Sequence, residues 1–439
     1  MNAPNHAPEA EVVQLCHELI RIDTTNDGTG SGPGERQAAE YIAGKLDEVG
    51  IASECYESEP GRTTLVAHWE PEGCDTSLPP LLVHGHTDVV PANAADWQVD
   101  PFSGVLRDGC IWGRGAVDMK DFDAMVLSVV RDRVRSGRPT RRPIRLVFTA
   151  DEEAGGKLGA LWLADKHPDT VADCTEAIGE VGGFSLTIRD DLRLYLVQTA
   201  EKGLSWLRLI ADGVAGHGSM RNDHNAVTEL AAAVVRIGSY RWPHRITPAQ
   251  QGFLDAVSEA LDIRIDTDNV EETLARLGSI SRMVGATMGN TTNPTMLDAG
   301  YKVNVIPGQA TAGVDGRVVP GAEEEFLATM AELLGDKVRM EYVIHEPAIE
   351  TEFAGDLVAA MQKSLQTEDS GARAVPYLMS GGTDAKAWTK LGVRCFGFAP
   401  LRLPPELDFV GMFHGVDERV PTESLEFGAK VLDHFLEIA

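Results

Sequence analysis

The alternation of helix-like and strand-like segments over the first two hundred residues is the feature that most narrows the fold. Apolar residues recur at helical spacing from Glu11 to Ile22 and again from Glu35 to Val49, where Gly50 closes the pattern. Short apolar runs follow at Leu65-Val66-Ala67, Leu81-Leu82-Val83 and Ile144-Arg145-Leu146-Val147-Phe148, of a length that suits buried strands. Leu106 to Trp112 reads as a hairpin about Asp108-Gly109, and Asp121 to Arg135 as a long helix with Asp121 at its positive end. Strands alternating with helices form a mostly parallel sheet covered by helices. In such sheets, loops at the carboxyl ends of the strands gather distant residues onto one crevice.

From Glu201-Lys202-Gly203 onward the pattern changes. Leu204 to Leu209, Lys302 to Ile306, Thr311 to Asp315 and Arg339 to Ile344 alternate as half-buried strands. Between them lie a helical stretch, Ala226 to Ile237, and a broken one, Phe253 to Leu277. Strands and helices without strict alternation predict an α+β domain inserted into the first. Helices from Glu352 to Leu365 and from Thr422 to Ile438 then return to the first domain. The expected limits are 1–202 and 347–439 for the first domain and 203–346 for the insert.

With 439 residues the chain exceeds one ordinary core. A formal charge of -28 argues against nucleic acid or an anionic membrane as a partner, since both need a basic surface. Six widely spaced cysteines without a C-x-x-C pair predict reduced, mostly buried thiols. No basic-then-apolar opening and no spanning apolar run are visible, so a cytoplasmic protein is expected.

Five segments carry the chemistry. They are His84-Gly85-His86-Thr87-Asp88, Gly115-Ala116-Val117-Asp118-Met119-Lys120, Thr149-Ala150-Asp151-Glu152-Glu153, Ile178-Gly179-Glu180 and Phe413-His414-Gly415. Histidine nitrogen and carboxylate oxygen are the ligands of zinc-type hydrolytic sites, which leave one position open to water. His86 and Asp88, two apart on extended chain, face the same way, so Asp88 either orients the histidine or simply pairs with it. His84 belongs to packing or to the support of its neighbours. Asp118 follows a glycine-rich approach and either bridges two ions roughly 3.5–4 Å apart or is an ordinary turn aspartate. Glu152 and Glu153, adjacent acids at a strand end, repel each other unless cations or protons offset the charge. Their side chains diverge, so one can hold an ion while the other takes a proton from water. The alternative is two solvated acids at a helix start. Glu180 and His414, each alone, have an equally ordinary structural reading.

Taken in this order, the five segments resemble those of the dinuclear zinc peptidases that include aminoacylase, acetylornithine deacetylase, succinyl-diaminopimelate desuccinylase, carboxypeptidase G and carboxypeptidase S. The resemblance runs from the helix before Thr24 to Val420-Pro421 and is strongest at Gly85-His86-Thr87-Asp88-Val89-Val90-Pro91, Gly113-Arg114-Gly115 with Asp118-Met119-Lys120, and Asp151-Glu152-Glu153 with Gly155-Gly156. It implies a zinc-peptidase-like mixed, mostly parallel α/β sheet flanked by helices, with an inserted α+β lid and dimerisation domain. It implies that His86, Asp118 and Glu180 hold one metal ion while Asp118, Glu153 and His414 hold the other. Asp118 would bridge, Asp88 would support the ligands, and Glu152 would be the general base and acid working with a metal-bound hydroxide. Gly216-His217-Gly218-Ser219 resembles the lid motif whose histidine polarises the scissile carbonyl, in dimeric members from the partner subunit. Asn304 and Arg317 resemble lid residues that grip the substrate, the arginine suiting a carboxylate. Gly381, Gly382 and Thr383 resemble part of a loop lining the substrate pocket.

The resemblance therefore implies hydrolysis of an amide bond in a small dipeptide or N-acyl amino acid with a free carboxylate, by a homodimer. It implies two divalent ions as cofactor, zinc first, with cobalt or manganese as alternatives. A catalytically silent metal-binding protein, a deacylase of ornithine or diaminopimelate type, and a two-metal phosphoester hydrolase are the rival readings. Three departures stand out. Asp121 replaces the usual glycine after Asp118-Met119-Lys120, so it either alters metal affinity or caps the helix. Lys386 stands where arginine is common, and the stretch from Pro248 to Ser281 is long for a minimal lid.

Overall fold

The structure, a computed structural model, describes residues 6–265 and 285–439. The part of the Pro248 to Ser281 stretch, and of the expected helix to Leu277, that follows residue 265 lies outside the described residues. The chain divides into two compact units. One comprises Met1–Thr199, Thr351–Tyr377 and Thr383–Ala439; the other comprises Ala200–Glu350 and Leu378–Gly382. The expected limits at 203 and 346 differ from these by a few residues and left out the short excursion at Leu378–Gly382.

In the first unit the sheet runs in the order Ser53–Glu59, Arg62–Trp69, Ile144–Thr149, Leu81–His86, Glu176–Gly179, Arg394–Gly397, Leu192–Glu201. The three central pairings are parallel and those outside them antiparallel. Strand Leu81–His86 is buried along its whole length, as a parallel strand covered on both faces must be. It continues past the expected end at Val83 and pairs His86 with Thr149. The histidines broke the apolar run without ending the strand, because their rings are buried where it meets its neighbours.

Helix Lys120–Ser136 is buried over nearly its whole first three turns and stops at Gly137, whose φ of 67° gives the left-handed exit that glycine supplies without strain. It packs against helices Val12–Ile20 and Thr422–Ile438. The expected hairpin is present: Val105–Arg107 and Cys110–Trp112 pair across Asp108 and Gly109, both with positive φ.

The second unit has a four-stranded antiparallel sheet, ordered Thr291–Ala299, Gln309–Val318, Gly203–Asp212, Val338–Glu346. Its core joins Leu207, Leu209 and Val314 of the sheet to Leu230 and Ile237 of helix Ala226–Ser239 and to Phe326 and Met330 of helix Glu323–Leu334. The strand expected at Lys302 to Ile306 shrinks to Val305–Ile306, and Val303 is fully exposed. Only these two residues find a partner, pairing antiparallel with Gly216–His217. Strand Thr291–Ala299 is an unexpected edge; Pro294 sits beside its register shift, the position where a residue without an N–H is tolerated.

None of the six cysteines forms a disulfide; Cys16, Cys174 and Cys395 are buried and Cys55 is exposed. Among the described residues, no helix is long and apolar enough to cross a membrane.

Candidate metal centre

The parallel core of the first unit brings the site together. Strands Ile144–Thr149, Leu81–His86 and Glu176–Gly179 lie side by side and end together. His86 is the last residue of the middle strand, Glu180 follows the third, and the 3-10 turn Glu152–Ala154 follows the first. Asp118 comes from the turn before helix Lys120–Ser136, and His414 from the loop after the turn Val410–Met412. Asp151, Val181 and His414, at or next to these positions, hold positive φ values of 65°, 50° and 57°. Non-glycine residues carry that strain, of order 1–3 kcal/mol each, only where surrounding contacts impose it.

Two groups of three candidate ligand atoms result. His86 Nε2 lies 3.1 Å from Asp118 Oδ1 and 3.4 Å from Glu180 Oε2. His414 Nε2 lies 3.3 Å from Asp118 Oδ2 and 3.1 Å from Glu153 Oε2. Asp118 thus offers one oxygen to each group, and within each group the ligand atoms are all within 4.8 Å of one another. Bonds of about 2.0–2.1 Å in a tetrahedral zinc site separate neighbouring ligand atoms by roughly 3.3–3.4 Å. The spacing here therefore fits a divalent ion in each group. A third cluster, His6 with Asp132 and Asp433, differs, because Arg138 already lies 2.8 Å from both carboxylates.

The charge balance points the same way. Burial, followed by the charge of Glu180, holds the Glu152 carboxyl well above its usual range. Burial pushes Glu180 up to about 7 despite His86 beside it. His414 is raised to about 10 by its bonds to Asp118 and Glu153. Burial would raise Asp118, but His414 and His86 outweigh it and hold the carboxyl low. With no cation the cluster must keep protons to limit its own repulsion, and cations remove that need.

Glu152 is in neither group. Its Oε2 lies 3.9 Å from His86 Nε2, and its side chain keeps 15 % exposure, where a proton can enter and leave. Asp88, fully buried, ties the parts together. His86 Nδ1 lies 3.0 Å from the Asp88 carbonyl and 3.5 Å from its Oδ1. The same carboxylate accepts the N–H of Glu152 at 3.2 Å and of Glu153 at 3.1 Å. One aspartate thereby sets the histidine ring and the backbone of both glutamates.

Sequence reasoning missed Asn26. Its Nδ2 donates to Asp88 Oδ2 at 2.9 Å and to Asp151 Oδ1 at 3.1 Å, while its Oδ1 accepts from Arg62 at 3.0 Å. An asparagine before Asp27-Gly28 carries no signal beyond an ordinary turn.

His84 is a packing residue: its ring meets Trp388 edge-on at 5.9 Å, and burial lowers its pKa to about 3. Asp121 is not the helix cap, a position that Met119 holds without a side-chain bond. It lies buried in a narrow apolar cleft beside Glu180, walled by Met119, Phe122, Phe184, Leu401 and Phe413. Thr383 belongs to the first unit and accepts the Ala385 N–H at 3.1 Å.

His217, Asn304, Arg317, Gly381 and Gly382 belong to the second unit. His217 is exposed with Nδ1 2.8 Å from Ser219 Oγ, and Asn304 accepts the Gly218 N–H at 2.9 Å. Arg317 donates from Nε to Asp315 Oδ1 at 2.7 Å and from Nη2 to Oδ2 at 3.2 Å.

The description of peptidase family M20/M25/M40 matches residues 82–438. A probable carboxypeptidase S-like 2 of Dictyostelium discoideum is 30% identical over 380 residues, 81% of this chain and 70% of the relative. Aminoacylase-1 of Sus scrofa is 28% identical over 425 residues, 93% of this chain and 90% of the relative. Among solved structures, an M20 family metallo-carboxypeptidase from Sulfolobus solfataricus shares the fold at a TM-score of 0.73 and 18% identity, covering 98% of this chain and 99% of that one.

Proposed function

The chain belongs to peptidase family M20/M25/M40 and is a hydrolase, and on that premise we propose that it cleaves the amide bond of a small dipeptide or N-acyl amino acid bearing a free carboxylate. The observation that carries this reading is the pair of three-ligand groups sharing Asp118, with Glu152 beside them and in neither. His86, Asp118 and Glu180 would hold one divalent ion, and Asp118, Glu153 and His414 a second. Such ions, when bound, acidify water and polarise a carbonyl. Zinc is the first candidate, since mixed nitrogen and carboxylate ligation suits it, although cobalt and manganese accept the same donors.

Glu152 accepts the proton of the attacking water and delivers it to the leaving nitrogen. Its elevated affinity for a proton, before ions bind, suits that role. Asp88 keeps the backbone of Glu152 and Glu153 fixed while the proton moves. In the second unit Arg317, oriented by Asp315, is assigned to the substrate carboxylate, and His217 to the carbonyl oxygen. The protein is read as a cytoplasmic homodimer joined through the second unit, with no nucleic-acid or membrane partner. The similarity to a probable carboxypeptidase S-like protein and to an aminoacylase supports both peptide and acyl substrates.

The test is a product-detected screen of dipeptides and N-acyl amino acids with zinc-loaded protein, repeated on Glu152→Gln. Turnover should vanish in the variant while about two ions per chain remain. Hydrolysis above a few per cent of the parent rate would remove Glu152 from its role.

A further inference from the structure

Glu418 and Arg114 belong to neither ligand group, yet both are buried and joined, Arg114 Nη1 to Glu418 Oε2 at 2.6 Å. The Glu418 carboxylate accepts much more than this one bond. Its Oε1 takes the N–H of Val117 at 2.7 Å and of Asp118 at 3.2 Å, and its Oε2 takes that of Gly115 at 3.2 Å. Three backbone N–H groups from one short turn converge on a single carboxylate, a concavity of the kind that binds anions. Gly115 makes the turn possible with a φ of 88°.

Arg114 reaches the other way. Its Nη2 donates to the carbonyl of Gly415 at 2.9 Å and lies 3.5 Å from that of His414. Beyond it, Arg419–Pro421 pairs antiparallel with Cys110–Trp112, and the Gly113 N–H donates to the Glu418 carbonyl at 3.0 Å. The segment carrying His414 is therefore laid along the segment carrying Asp118, and the Arg114–Glu418 pair sits at the crossing. Every contact made to the carboxylate comes from a donor. An amide in its place would set an NH2 against some of them.

We propose that Glu418 and Arg114 are positioning residues that clasp the Asp118 turn to the His414 loop and so assemble the second ligand group. The first group depends on the clasp only through Asp118, because His86 and Glu180 stand at the ends of adjacent parallel strands, whereas the second depends on it through both Asp118 and His414. Loss of the clasp therefore weakens the second ion much more than the first, whereas a merely structural residue would weaken both alike. The inference rests on the reading that the two groups hold ions.

The test is calorimetric titration of the metal-free full chain with zinc, with the visible spectrum of the cobalt-loaded protein as a second readout and circular dichroism to check the fold. The parent protein should take two ions. Glu418→Gln and Arg114→Met should take the first with nearly parental affinity and the second about 10–100-fold more weakly, the usual effect of removing a partner that orients a ligand. Arg114→Lys, which keeps a cation beside Glu418 but cannot also span to Gly415, should fall between them; it carries the same comparison if the other variants do not fold. Two ions bound as tightly as in the parent, or equal weakening of both, would overturn the proposal. A parent protein that takes no second ion would instead overturn the two-ion reading, and this inference with it.

Discussion

Asn26→Ala removes two hydrogen bonds to buried carboxylates, those from Nδ2 to Asp88 and to Asp151. The amide orientation follows from its partners, since the N–H of Gly28 and the Arg62 guanidinium can only donate and therefore face Oδ1. Hydrogen bonds to charged acceptors contribute about 1.5–3 kcal/mol each, so two set an upper range of about 3–6 kcal/mol. A water entering the vacated space recovers part of this, which leaves about 3 kcal/mol. Because Asp88 also holds the backbone of Glu152 and Glu153, zinc affinity should fall by about 10–100-fold. Asn26→Asp is a sharper perturbation. It is isosteric but places a third acid between Asp88 and Asp151, where Arg62 is already paired with Glu35. It should therefore be less stable than Asn26→Ala at pH 8, and the gap should close at low pH, where the new acid is protonated and can donate. Urea unfolding of the chelated protein at pH 5 and pH 8, followed by circular dichroism, measures both effects. An Asn26→Ala protein within about 1 kcal/mol of the parent, or an Asn26→Asp protein as stable as it at pH 8, would refute the reasoning, since each lost bond alone contributes more than that.

Three further outcomes are expected. Gly85→Ala places a methyl group 2.3 Å from Asp123 Oδ1 and 3.0 Å from Met119 Cε, so it should destabilise by at least the 1–3 kcal/mol typical of overpacking; an unchanged urea midpoint would show that strand Leu81–His86 and helix Lys120–Ser136 are not so closely packed. Removing metal with a chelator should lower the melting temperature, because ions present at about a thousand times their dissociation constant stabilise by about 4 kcal/mol; a scan that does not move with chelator would argue against bound ions. In the chelated protein, burial pushes the Asp384 carboxyl up to about 8, while the unfolded chain releases that proton near pH 4. Its contribution is thus complete below about pH 4 and is lost as pH rises toward 8, so Asp384→Asn should flatten the decline of stability across that window, as measured by urea unfolding. Equal slopes in parent and variant would show that Asp384 is ionised throughout.

Local pattern carried the helices well. Thr422–Ile438 has the expected limits, and Lys120–Ser136 extends the expectation by one residue at each end, because apolar spacing and a glycine exit are properties of the segment itself. Edges and interrupted strands were harder. Thr291–Ala299 holds a proline and shows little buried surface, and of the alternating Lys302 to Ile306 only Val305–Ile306 pairs, with the short Gly216–His217; pairing, not propensity, decides both. The residues of the two candidate ligand groups were nameable because their segments occur in a recognisable order. Taken singly, Asp118 read equally as a turn aspartate and His414 as a loop histidine.

By itself, then, the sequence determined the donor types, the strand ends on which several of them stand, and the inserted organisation of the chain, all of which depend on residues near one another or on their order. Only the tertiary structure decided that Asn26 would hold Asp88 and Asp151, and that Glu418 would receive three backbone N–H groups together with Arg114. Those contacts join positions up to about three hundred residues apart, and their hydrogen-bonding demands arise from burial, which no local pattern encodes.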